Sequence, residues 1–242
     1  MLSTTVALLS GCGQAAPAGS LPGGASTTRP SGPSPSAAPK AHADKAAFLE
    51  AVSAGSQDVD TATFVVNMEG PDGILRGSGT MTRESGVPVT HLQVHFGKPG
   101  TMSKALDAVV LRDEILVLGL AQDVEGPDWV RLTPGTELAS MMRAIALWAD
   151  RDVSAALLGR AATSVQHTDD TTYAVTLDGT GLTPAAGTSP VVLSVKLDAQ
   201  DRVLRVAGSE NGVEWSFTVK RFNDPVDVVV PEANQVSSLK GY

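Results

Sequence analysis

In segment after segment between Ala62 and Val219, apolar residues recur at every second position. A period of two fits a half-buried β-strand and does not fit a helix, whose period is 3.6. Ala62, Phe64, Val66 and Met68 alternate with Thr63, Val65 and Asn67, and Leu92, Val94 and Phe96 alternate with His91, Gln93 and His95. Tyr173, Val175 and Leu177, then Val191, Leu193, Val195 and Leu197, then Val213, Trp215, Phe217 and Val219 repeat the pattern. Leu106–Leu111, Ile115–Gly119, Trp129–Leu132 and Val203–Ala207 read as shorter strands. Pro71-Asp72-Gly73, Arg112-Asp113-Glu114 and Asp169-Asp170 carry the turn chemistry expected between such strands. Gly179–Ser189 reads as a loop.

Two regions switch to the helical period. Asp44 is placed to cap a helix from Lys45 to Ser53, with Ala46, Phe48, Leu49 and Val52 near one face. Leu138, Met141, Met142, Ile145 and Trp148 recur at spacings of three and four, behind Thr133 and Thr136 as candidate caps and Pro134 as a first-turn residue. Asp152–Leu158 predicts a shorter helix directly after it. The expected class is α+β: a large antiparallel sheet with one apolar face, helices over that face, and water on the other. Too few helices alternate with strands for a Rossmann-type fold.

The 242 residues divide by composition. Residues 13–44 are almost entirely Gly, Ala, Pro, Ser and Thr, with no aromatic side chain. They contain too little apolar surface to offset the entropy of ordering. As a flexible linker they would span about 30 Å. Ahead of them an apolar run ends in Leu9-Ser10-Gly11-Cys12, which matches the bacterial lipobox: a leucine, two small residues and the cysteine that receives diacylglyceryl. Cys12 is the only cysteine, so the domain behind it has neither a disulfide nor a thiolate metal site. This reading divides the chain into a signal segment (1–11), a lipidated Cys12 with its tether (12–44) and a folded domain (45–242). The stretch before Cys12 carries no charge, whereas a signal peptide opens on Lys or Arg, so basic residues are expected upstream of Met1. The net charge is −8, and residues 1–44 contribute +1 through Arg29, Lys40 and Asp44. An acidic domain without a clustered Lys/Arg face argues against nucleic acid as a partner. Membrane attachment must then come from the lipid rather than from a basic patch.

The chain lacks the motifs of nucleotide binding, of α/β-hydrolase catalysis and of zinc proteolysis. His91 and His95 would share a strand face about 13 Å apart, too far to share a metal. Asp169-Asp170 reads as a hairpin turn rather than a catalytic pair. No catalytic residue, metal or cofactor is expected. The helical stripe Leu138, Met141, Met142, Ile145 and Trp148 reads as core packing. Its second reading, together with Phe64 and Val66, is the wall of a lipid cavity, since flexible, polarizable methionine conforms to an acyl chain.

Three segments carry a resemblance to a known family: Asp128-Trp129-Val130-Arg131-Leu132; the hairpin Val195-Lys196-Leu197-Asp198 and Arg202-Val203-Leu204-Arg205-Val206; and Val228-Val229-Val230-Pro231-Glu232 with Val236–Leu239. In these, from about Lys45 to Leu239, the chain resembles the actinobacterial LppX/LprG-type lipoproteins, relatives of the LolA and LolB carriers. The resemblance implies a strongly curved half-barrel of antiparallel strands with helices packed over its concave face. It also implies a non-enzymatic role outside the cytoplasm: holding the acyl chains of a lipid or glycolipid and moving it through the envelope, with an envelope transporter as a further partner. The alternative is an interaction or sensor module that uses the same fold to grip a protein.

Overall fold

The computed structural model describes residues 41–237 except 72, 99–100, 103–104, 121–128, 179–188 and 211. The signal segment, Cys12, most of the tether and the 179–188 loop therefore lie outside the described residues. Helix α1 (Lys45–Ser56) is followed by strands β1 (Ala62–Gly70), β2 (Gly73–Glu84), β3 (Val87–Lys98), β4 (Thr101–Met102), β5 (Leu106–Val110), β6 (Ile115–Leu118) and β7 (Trp129–Arg131). Helices α2 (Glu137–Ala149) and α3 (Arg151–Ala161) come next. Strands β8 (Ala162–Asp169), β9 (Thr172–Leu177), β10 (Val191–Leu197), β11 (Val203–Glu210), β12 (Val213–Phe222) and β13 (Val236–Ser237) complete the chain.

All the strands join one sheet in the order β13-β7-β6-β5-β3-β2-β1-β12-β11-β10-β9-β8, with β4 pairing β3 off that path. This corrects the expected half-barrel with helices over a concave face. The sheet is an open path, neither closed nor strongly curled, and its end strands β13 and β8 do not pair. It is also mixed, because β13 runs parallel to β7. Alternation assigns residues to faces but does not encode curvature, which needs bulges or kinks within the strands. Here the register shifts fall at Thr63/Phe64, Lys196/Leu197, Ala162/Ser164 and His167/Asp169, near strand ends. The long β2–β3 ladder from Ile74↔Gly97 to Glu84↔Val87 has none.

The inner face carries the alternating apolar residues. Phe64, Val66, Met81, Leu92, Val94 and Phe217 bury against Met142, Ile145 and Ala146 of α2. Farther along the sheet, Tyr173, Val175, Leu193 and Val206 bury against Phe48 and Val52 of α1 and Leu158 of α3. Trp148 packs on both clusters, its ring 5.9 Å from that of Trp215. Gly79 makes room for the first cluster: a Cβ there would lie 2.5 Å from Phe64 Cζ and 2.5 Å from the His91 carbonyl oxygen. The Phe64 ring thereby leans over the strand and reaches Phe217, 4.8 Å away between centroids.

The outer face is not wholly left to water. Val89, Val109 and Leu116 are buried there beneath Val228, with Trp129, Val230 and Val236 half-buried around them. By the resemblance, Val228–Glu232 is similar to that family's closing strand. Those residues form an irregular strap instead, and the pairing falls to β13. Strand β8 is a further difference, since its Ala-Thr-Ser-Val-Gln-His-Thr-Asp sequence shows no apolar alternation. It is an edge strand, paired on one side only, and polar side chains suit that position.

The helices start where their caps require. Asp44 accepts from the Ala47 amide at 2.9 Å, and Thr136, not Thr133, accepts from Ala139 at 3.3 Å. Asp150 ends α2 and caps α3, accepting from the Asp152 amide at 3.0 Å. The same carboxylate oxygen takes a 2.6 Å hydrogen bond from Arg83 Nη2 of β2, so an ion pair with side chains only 8% and 10% exposed ties the helical elbow to the sheet. Asp152 also reaches Arg83, at 2.9 Å, but is 63% exposed. Removing one partner of a buried pair strands the other's charge, so Asp150→Ala is expected to cost about 3–5 kcal/mol. Asp152→Ala should cost under about 1 kcal/mol. Urea denaturation of the two variants checks this, and equal losses would contradict it.

Candidate functional site

At one end of the sheet, β1 and β2 meet at the Gly70↔Gly73 pair, β3 ends at Lys98, and β12 begins at Val213. Between these strand ends and α2 lies a groove of about 560 Å³, lined by Met68, Ile74, Leu75, Phe96, Met141 and Val213 among its apolar residues. Glu69, Lys98 and Thr101 supply its polar rim. Its size falls in the range of small-molecule sites, about 300–1,000 Å³, and its mostly apolar wall is typical of them. The register explains the wall. Met68 pairs with Leu75 and Leu75 with Phe96, which stacks three large apolar residues in one row across the sheet.

The residues named from the helical stripe separate here. Met141 lines the groove. Met142 is fully buried, and Ile145, Phe64 and Val66 are buried beside it in the first core cluster. Leu138 and Trp148 are half-buried against that cluster. Adjacent helical positions point about 100° apart, so Met141 and Met142 cannot share one environment. Met68, Leu75, Phe96 and Val213 were missed as wall residues. Their only signal was ordinary strand alternation, which does not distinguish a packed position from one at a strand end.

A second hollow of about 520 Å³ lies across β1 and β9–β12, with Asn67, Ser194, Arg205, Ser209 and Glu214 among its lining. By alternation these residues belong to the outer face. Nearby strands carry the two histidines: His91 Nε2 lies 3.5 Å from Asp107 Oδ1, and the amide of Gln93 donates to the same oxygen at 3.2 Å. Among the described residues no group of three or more His, Cys, Asp and Glu side chains is placed to hold a metal ion. Asp169 ends β8 opposite Thr172, and Asp170 and Thr171 form the β8–β9 turn, where Asp170 adopts φ 41°.

The opposite end of the sheet receives the N-terminal segment. The His42 amide donates to the Tyr173 hydroxyl at 3.0 Å, and its Nε2 lies 2.8 Å from Asp201 Oδ1 in the β10–β11 turn. The His42 ring stacks on Tyr173. That turn is held by Asp198, which accepts from the Gln200 and Arg202 amides at 2.9 and 3.0 Å.

An open sheet covered on one face by a few helices is a fold that this chain shares with solved structures at low sequence identity. The solved structures it is similar to include LprF from Mycobacterium bovis, at 15% identity over 77% of this chain and 96% of that one, with a TM-score of 0.50. The Mycobacterium tuberculosis lipoprotein LppX matches at 16% identity over 76% of this chain and 99% of that one, with a TM-score of 0.47. An uncharacterized conserved protein from Thermus thermophilus matches at 13% identity over 79% and 97% of the two chains, with a TM-score of 0.43. No protein-family model and no curated protein sequence matches the chain. At such identities the likeness is one of fold, and it assigns no subfamily.

The two methionines give a direct test of the site's geometry. Met142→Ala should cost about 2–5 kcal/mol by opening a cavity in the core. Met141→Ala, at a half-buried wall position, should cost under about 1.5 kcal/mol. Equilibrium unfolding of both variants distinguishes them, and a larger loss at Met141 would overturn the assignment of wall and core.

Proposed function

We propose that this chain is an envelope lipoprotein, anchored through Cys12, whose domain holds the acyl chain of a lipid in the groove beside Met141. The groove is the observation that carries the reading. Met68, Leu75, Phe96 and Met141 offer an apolar surface, with the polar groups Glu69, Lys98 and Thr101 confined to its rim. A site of that kind shields hydrocarbon from water, and the free energy gained, roughly 0.8 kcal/mol per buried CH₂, suffices without covalent chemistry. The fold shared with LprF supports it.

The anchor follows from the lipobox, with residues 12–44 as the tether. His42 sits at the end of the sheet opposite the groove. A second envelope component, such as a transporter, would deliver or receive the lipid.

Protein purified from its native envelope is expected to yield bound lipid in native mass spectrometry. Met141→Trp, which fills the groove, should lower the occupancy several-fold while the thermal transition is retained. Consistently empty wild-type protein would refute the reading. Separately, Cys12→Ser is expected to abolish incorporation of radiolabelled palmitate and to move the protein from the membrane to the soluble fraction. Unchanged labelling would refute the anchor.

A protein partner is the second reading, and the outer-face hollow with Arg205 and Glu214 favours it, since its lining is more polar than the groove's and carries both charges. Recovery of one stoichiometric partner with lipid-free protein would select it.

A further inference from the structure

We infer that the groove selects an acyl-chain amphiphile with an anionic head, carboxylate or phosphate, and that Lys98 holds the head. This rests on the acyl-chain reading of the groove and adds the chemistry of the head. Strand alternation places the charges. Met68, Leu75 and Phe96 share the inner face, and Lys98, two residues beyond Phe96 on β3, shares it too. Thr101 pairs with Lys98 across the β3–β4 ladder and so faces the same way. Its hydroxyl donates to the Lys98 carbonyl oxygen at 3.3 Å.

Glu69, the acid on the rim, follows Met68 by one position and pairs with Ile74, so alternation turns its side chain toward the outer face, although both residues border the groove at the strand ends. The charge presented on the groove's own face is therefore the Lys98 ammonium. No carboxylate among the described residues pairs with it, whereas Arg83, Arg131, Arg151, Arg202 and Arg221 are all engaged in ion pairs.

Location matters because the chain as a whole carries −8. An anionic amphiphile is disfavoured over most of such a surface and gains a counter-charge at this rim. Lysine suits the position because it is a compact charge on a flexible stem, able to meet one oxyanion, and its methylenes continue the apolar wall.

The test compares oleate, oleoyl lysophosphatidate and mono-oleoylglycerol, which share one chain and differ in head charge, together with inorganic phosphate, on the delipidated full chain. At physiological salt the two anionic amphiphiles are expected to bind about fivefold tighter than the neutral one, the ratio that an exposed ion pair provides. Inorganic phosphate alone should not bind measurably. Lys98→Ala should remove the preference, so that the anionic amphiphiles and mono-oleoylglycerol bind that variant with equal affinity, while Lys98→Arg should retain the preference. Equal affinity for all three in the wild type would overturn the head-group assignment and leave the acyl-chain reading standing. A preference that survives Lys98→Ala would also overturn it, and phosphate binding as tightly as lysophosphatidate would replace it with a free-anion site. If no acyl probe binds at all, both readings fall.

Discussion

The structure depends on removing one long apolar sheet face from water. Strands β1–β3, β5, β6 and β9–β12 present that face, and burial of the kind seen at Phe64, Leu92, Val175 and Leu193 is the main favourable term in its folding. Three short helices supply the cover. They are set by caps at Asp44, Thr136 and Asp150, and Asp150 is also fixed to β2 by Arg83. One buried ion pair thus ties the elbow between α2 and α3 to the sheet. Trp148 against Trp215 joins the two halves of the covered face.

The groove follows from the same geometry. Where the row Met68, Leu75 and Phe96 approaches the strand ends, α2 contributes Met141 and leaves an open apolar hollow. An open apolar wall beside a fully packed core is the usual arrangement of a binding site supported by a rigid scaffold. The local electrostatics follow from the pleat: residues one apart face opposite ways, which separates Glu69 from the groove's face and leaves Lys98 on it.

The outer face shows a second solution to the same problem. Over β3, β5 and β6 the strap around Val228 buries Val89, Val109 and Leu116, so this part of the sheet is apolar on both sides. The continuous runs in β5 (Leu-Asp-Ala-Val-Val) and β6 (Ile-Leu-Val-Leu) are the sequence sign of strands covered twice. The other half keeps Ser, Thr and Ala outward, as in the polar hollow near Ser194 and Arg205.

By itself the sequence determined most of the element types (though not β8), the inner-face residues, the turns at Arg112–Glu114 and after Asp169, and the cap at Asp44, with Thr133 and Thr136 left as alternatives for α2. These are local: each depends on a period or a hydrogen bond within a few residues. The α+β content was legible for the same reason, as an order of such elements. Only the tertiary structure decided that the sheet stays open, that polar β8 forms its edge, and that Val228 belongs to a strap rather than to a closing strand. It also decided that Met141 meets a groove while Met142 meets the core. Those outcomes turn on pairings between residues far apart in the chain and on how much space remains between packed surfaces. A hydrophobic pattern marks which side chains leave water, but not whether another side chain or a ligand takes the water's place.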